Sequence, residues 1–243
     1  MLTVRGVILI IDLISFTVSS HCHLRSECPA PFLFLESNLT ISPSQGDNYV
    51  LMQQVGRAML KLGGELKANR NAKVTDTTAF VSALHYDDAI PFRAPTSAAD
   101  WVRPDVFMNA LNLRAARLVA DLQAEVDSGR RFVDLSWECV EVAKAHAEVV
   151  VSYWFAQAIS DDAERFGATE VQWLNKLVAL NALTSIARNI TPLALPMSDK
   201  RGGLAAYKAG SSILTAESVA HLEAAIRGLV EELLPQVIAL TDA

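Results

Sequence analysis

From Asn48 onward the chain repeats one pattern, and that pattern fixes the class of fold open to it. Apolar residues recur at intervals of three and four over five long stretches, the period of an amphipathic helix. The first carries Leu51, Val55, Ala58, Met59 and Leu62, and Gly63-Gly64 is the expected stop. The second starts at Pro104, a residue suited to the first helical position. It presents Phe107, Leu111, Leu118, Val119, Leu122 and Val126, and ends at Gly129. The third runs from about Ser136 to Ile159 with Val140, Ala143, Ala147, Val150, Val151 and Trp154 as its stripe. In the fourth, Thr169 and Gln172 have capping-box spacing, and Leu174, Leu177, Val178, Ile186 and Ile190 form the buried face. Thr215 caps the fifth, whose stripe is Val219, Leu222, Ile226, Leu229, Val230 and Leu233. Pro235 should kink it or split off a short terminal piece.

No stretch reads convincingly as a strand. Residues 65–103 and the segment "TPLALPMSDKRGG" hold too many turn residues for a long regular element. The expected fold is therefore all-α, an antiparallel bundle of four to five long helices burying their apolar faces against one another. At 243 residues and 51% hydrophobic content the chain can build a sizeable core. A net charge of −6 and the lack of a basic stripe exclude a nucleic-acid partner. The lack of a long apolar run excludes a membrane span.

Residues 1–45 are of another character and are expected to be a poorly structured leader. They hold Cys22, Cys28 and three of the nine prolines. With Cys139, the odd count of three cysteines argues against a disulfide framework. "HCHLRSEC" places two His and two Cys too close in sequence to converge tetrahedrally on zinc, so no metal site is expected. "MLTVRGVILIIDLISFTVSS" has the outline of a secretory signal, with Arg5, an apolar stretch and small residues near Ser20. Asp12 within that stretch opposes the reading. A true signal in residues 1–20 would make the chain secreted and Asn38-Leu39-Thr40 a glycosylation sequon.

The stretch "QGDNYVLMQQVGRAMLK" resembles the acyl-CoA oxidases, relatives of the acyl-CoA dehydrogenases. The matching residues are Gly46, Asp47, Asn48, Val50, Leu51, Gln54, Arg57 and Lys61. "LNLRAARLVADL", "AKAHAEVVVSYWF" and "LLPQVIALTDA" resemble later helices of the same family. The resemblance covers residues 46–243 and implies a piece of the family's C-terminal helical region.

It also implies a chemistry. Such an enzyme oxidises a fatty acyl-CoA to the trans-2-enoyl-CoA in peroxisomal β-oxidation. A carboxylate takes the α-proton, FAD receives the β-hydrogen as hydride, and oxygen reoxidises the flavin with release of peroxide. By resemblance, Gly46, Asp47 and Asn48 lie beside the flavin, and the Glu preceding the glycine is the base. Here that position is Gln45. An amide has no useful basicity, and loss of a general base alone removes about 10²–10⁴ in rate.

The resemblance implies a peroxisomal location, although no Ser-Lys-Leu-like signal closes the chain. The family's flavin-holding N-terminal and β-domains have no counterpart among residues 1–45. The expectation is a truncated, inactive chain that retains no FAD. Gln45 also admits a genetic origin. "CPAPFLFLESNLTISPSQ" reads like a translated intron tail, with Gln encoded at the AG acceptor. The alternative function is a non-catalytic helical module, forming a homodimer or pairing with a full-length paralogue.

For single residues two readings stand side by side. Asp47 and Asn48 either cap a helix or line the flavin site. Arg114 and Arg117 either meet a nucleotide phosphate or pair on the surface with Asp121 or Glu125. His146 is expected to be a hydrogen-bonded core histidine. Trp101, Trp137, Trp154 and Trp173 are expected to be core aromatics.

Overall fold

The computed structural model describes residues 48–197 and 203–236. The leader, Gln45, Gly46 and Asp47 lie outside the described residues, as does the segment 237–243. Among the described residues there is no strand. Five long helices carry the fold: α1 (Asn48–Ala68), α3 (Pro104–Asp127), α4 (Ser136–Asp161), α5 (Ala168–Arg188) and α7 (Ala216–Leu233). Two single-turn helices, α2 (Ala98–Trp101) and α6 (Thr191–Ala194), lie in the connections. Three 3-10 turns span Ala79–Leu84, Phe132–Asp134 and Leu234–Gln236.

The bundle is built around α4, which packs against α1, α3 and α5. The last helix, α7, packs on α5 and α2. A central helix needs more than one apolar face, and α4 shows the result. Val140, Ala143 and Val150 are buried as their spacing predicts. A second face, made of Cys139, Val142, Ala145, Val149 and Phe155, is buried in the principal core. A helix that is Ala- and Val-rich on nearly every side offers no single stripe to read.

Two helix ends differ from the sequence expectation. The spacing ends α1 at Gly63-Gly64, yet it continues to Ala68. Each glycine costs about 1 kcal/mol relative to alanine inside a helix. The burial of Leu66 offsets part of this. Two later side chains also hold the last turns: His85 Nε2 lies 2.9 Å from the Gly63 carbonyl, and the Tyr86 hydroxyl donates to the Leu66 carbonyl at 2.6 Å. At the start of α5 the Thr169 capping box does not form. The N-cap is Gly167, which leaves Thr169 inside the first turn, where its oxygen cannot serve as the cap. Glu170 folds its carboxylate back over Gly167 instead.

The other boundaries agree with the pattern. Pro104 opens α3. Gly129 follows α3 with φ +90°, the left-handed conformation that favours glycine at a helix C-terminus. The Thr215 hydroxyl accepts from the Ser218 N–H at 3.1 Å. Pro235 sits in the 3-10 turn that follows α7.

Candidate functional site

The predicted site residues lie at the head of α1. Asn48 is its first described residue, and Gln45, Gly46 and Asp47 precede it outside the described residues. The structure shows how this helix is anchored. Gln53 Nε2 donates to the Ser136 hydroxyl at 2.9 Å, and Ser136 in turn donates to the Val133 carbonyl at 3.2 Å. One turn on, the Arg57 guanidinium lies 4.7 Å from the centre of the Phe132 ring, a cation–π contact. Between them α1 approaches α4 so closely that a methyl group on Gly56 would stand 2.9 Å from the Cys139 sulfur. The stretch of α1 from Gln53 to Arg57 is thus fixed to the α3–α4 connection and the start of α4.

Deeper in the bundle a polar seam joins α3, α4 and α5. Arg114 is fully buried. Its guanidinium pairs with Glu148 and donates from Nη1 to the Ser185 carbonyl at 2.6 Å. Ser185 lies in the last turn of α5, where carbonyls lack intrahelical partners and a cation complements the helix dipole. Burial lowers the Arg114 pKa to about 10, and the negative charge of Glu141 opposes that shift. The group is still a cation at neutral pH. Arg117 donates from Nε to both Asp121 oxygens at 3.1 Å.

These contacts correct the readings of both arginines. Arg114 faces inward rather than making a surface pair, and Arg117 pairs with Asp121 as its spacing predicts but is itself buried. Glu125 pairs with Arg130. Both guanidinium groups are committed within the bundle rather than turned toward a flavin phosphate. Glu148 and Ser185 were not anticipated as partners. The available signal was a single acid inside the apolar run "AHAEVVVSYWF".

The other candidate groups are not poised for chemistry either. The Cys139 thiol is pushed up to about 11, chiefly by burial, which makes it a poor nucleophile. The His146 ring is lowered to about 4 by burial. Both of its nitrogens are buried without a hydrogen-bond partner among the described residues, which corrects the expectation of a hydrogen-bonded histidine. Of the tryptophans, Trp101 is a core residue that donates to the Ser218 carbonyl at 2.9 Å. Trp154 and Trp173 are half-buried. Trp137 is 67% exposed, contrary to its expected place in the core. Among the described residues no cluster could hold a metal ion, and no helix is long and apolar enough to cross a membrane.

The fold therefore defines a helical domain of five long helices. A family model described as acyl-CoA oxidase matches residues 103–243, more than half of the chain. The chain belongs to the acyl-CoA oxidase family. Peroxisomal acyl-coenzyme A oxidase 1 of Arabidopsis thaliana is 25% identical over 205 residues, which cover 82% of this chain and 28% of that protein. The solved structure of Arabidopsis thaliana acyl-CoA oxidase 1 matches the fold with a TM-score of 0.67 at 23% identity, over 82% of this chain and 28% of its own. Acyl-CoA oxidase-1 of Caenorhabditis elegans, solved in complex with FAD and ATP, matches with a TM-score of 0.59 at 13% identity, again over 82% and 28%. The chain thus spans little more than a quarter of the length of the relatives it matches.

Proposed function

We propose that this chain carries the C-terminal helical part of an FAD-dependent acyl-CoA oxidase of peroxisomal fatty-acid β-oxidation, and that the 243-residue chain does not itself turn over. Residues 46–243 form the oxidase-like unit and residues 1–45 a separate leader. The observation that carries the reading is the match of the acyl-CoA oxidase family model to residues 103–243. By resemblance, Gln45, Gly46 and Asp47 are the motif that precedes the described part of α1 in the sequence. The peroxisomal name of the Arabidopsis relative supports the location, and the FAD in the nematode structure supports the cofactor.

In this reading Gly46, Asp47 and Asn48 are the residues that would border a flavin, which accepts hydride when bound. The described residues contribute rigidity: Gln53, Arg57 and Gly56 hold the head of α1 in place. Gln45 can orient a thioester by hydrogen bonding but cannot accept the α-proton. With the base replaced, the chain alone lacks the proton acceptor, and Arg114 and Arg117, turned inward, offer no contact to the cofactor's phosphates.

The purified protein is expected to be colourless and to form no peroxide from palmitoyl-CoA with added FAD. Gln45→Glu is expected not to restore activity. Peroxide from the wild-type chain would overturn the proposal, and rescue by the single substitution would show that the proton acceptor alone was missing. One observation favours the non-catalytic alternative of a homodimer or a partner for a full-length paralogue. Val133 in the α3–α4 connection and Trp137 at the start of α4 expose large apolar side chains, 62% and 67% respectively.

A further inference from the structure

The segment from Ala79 to Tyr86 works as a strap across the bundle. Its own Phe80, Val81 and Ala83 are buried. At its far end His85 and Tyr86 hold the carbonyls of Gly63 and Leu66 in α1. The Ala83 carbonyl also accepts from the Ala205 N–H at 3.2 Å, which ties down the returning loop. Phe80 rests against His146 of α4, with ring centres 6.0 Å apart and planes inclined at 49°. Neither His146 nitrogen meets a hydrogen-bond partner among the described residues. A neutral imidazole can occupy such a site at the cost of its own desolvation. An imidazolium there would be a buried charge with two unsatisfied donors.

We propose that His146 is an acid-sensitive release for this strap: a proton on its ring displaces Phe80 and frees residues 79–86, and with them the last turns of α1, while α3, α5 and α7 remain packed.

The charged groups on the neighbouring elements are engaged elsewhere and offer the ring no counter-charge. On α1, Lys61 pairs with Glu65 in solvent and Arg57 covers Phe132. On the strap, His85 is bound to Gly63. On α4, Glu141 pairs with Lys144 and Glu148 with Arg114. On α3, Arg117 pairs with Asp121. Burial is accordingly the sole cause of the lowered proton affinity of His146. A cation–π contact with Phe80 would return less than the cost of burying an ion.

The closed form resists protonation down to about pH 4, while an opened strap leaves an ordinary imidazole titrating near 6.5. Opening is therefore suppressed above pH 6.5 and grows as pH falls toward 4, where the closed form begins to bind the proton as well. Between pH 7 and pH 4.5 the opening constant should rise on the order of 100-fold.

Hydrogen exchange followed by mass spectrometry at the two pH values, corrected for intrinsic exchange rates, reads this directly. In the wild-type chain the rise should be confined to residues 79–86 and 63–68. In His146→Leu, which keeps an apolar side chain under Phe80, it should vanish. Equal acid sensitivity in the two proteins would overturn the proposal, as would uniform opening of all helices. Should the variant not fold, ¹³C-histidine NMR of the wild-type chain decides. A His146 midpoint near 4, coinciding with strap opening, supports the release; a midpoint near 6.5 overturns it.

Discussion

A guanidinium without solvent stays charged only where oxygen atoms replace the lost water, and around Arg114 those are the Glu148 carboxylate and the Ser185 carbonyl. The two members of the ion pair are not equally dependent on it. Arg114 has no exposed surface, whereas Glu148 keeps 28% of its side chain exposed. Glu148→Ala strands a buried cation and should cost about 3–5 kcal/mol. Arg114→Met preserves volume and leaves a carboxylate that water can reach, so its cost should be about 1–3 kcal/mol. Urea unfolding of the two variants and their double mutant tests this. The double mutant should be more stable than Glu148→Ala alone, and additive losses would show that the pair is not coupled. The sequence did not disclose this centre. Helical spacing places Arg114 on a face of α3, but whether that face meets solvent or another helix depends on residues 34 and 71 positions away in the chain.

At the scale of the element, what could be read from spacing was the existence of each helix; what could not was where tertiary partners move its ends. The apolar stripes of α3, α5 and α7 lie in or against the core. The end of α1 was misread because His85 and Tyr86, distant in sequence, hold its carbonyls. The two threonine caps show the same limit from the other side. Thr215 and Thr169 look alike in sequence, each three residues before a side chain suited to a helix start. Only Thr215 accepts a backbone N–H, and the helix it opens is further tied down by the bonds from Trp101 to the Ser218 carbonyl and from the Ser218 hydroxyl to the Pro95 carbonyl. Thr215→Ala should therefore cost about 1 kcal/mol, read as a fall in Tm of roughly 2–4 °C. Thr169→Ala should leave Tm unchanged within error. Equal effects of the two substitutions would contradict the Gly167 cap.

For the molecule as a whole, the bundle was legible and the chemistry was not. Five amphipathic stripes suffice to demand mutual burial, and among the described residues the core runs without interruption from Met59 in α1 to Leu233 in α7. A catalytic centre has no such redundancy. It depends on single side chains, in the reading proposed above Gln45 to Asn48, and this chain spans only 28% of the length of its Arabidopsis relative. Thus the motif could be read by resemblance while its surroundings could not. The continuity of the core also predicts where stability resides. Residues 1–45 carry no stripe at helical spacing that matches the five helices, so their deletion should leave thermal unfolding within about 2 °C of the full chain, a change below roughly 1 kcal/mol for a domain of this size. Far-UV circular dichroism should remain helical, with the signal per molecule nearly unchanged. A loss of several kcal/mol on deletion would be a large share of the 5–15 kcal/mol that stabilises a typical domain. It would make the leader a part of the fold, and the boundary at residue 46 would then be wrong.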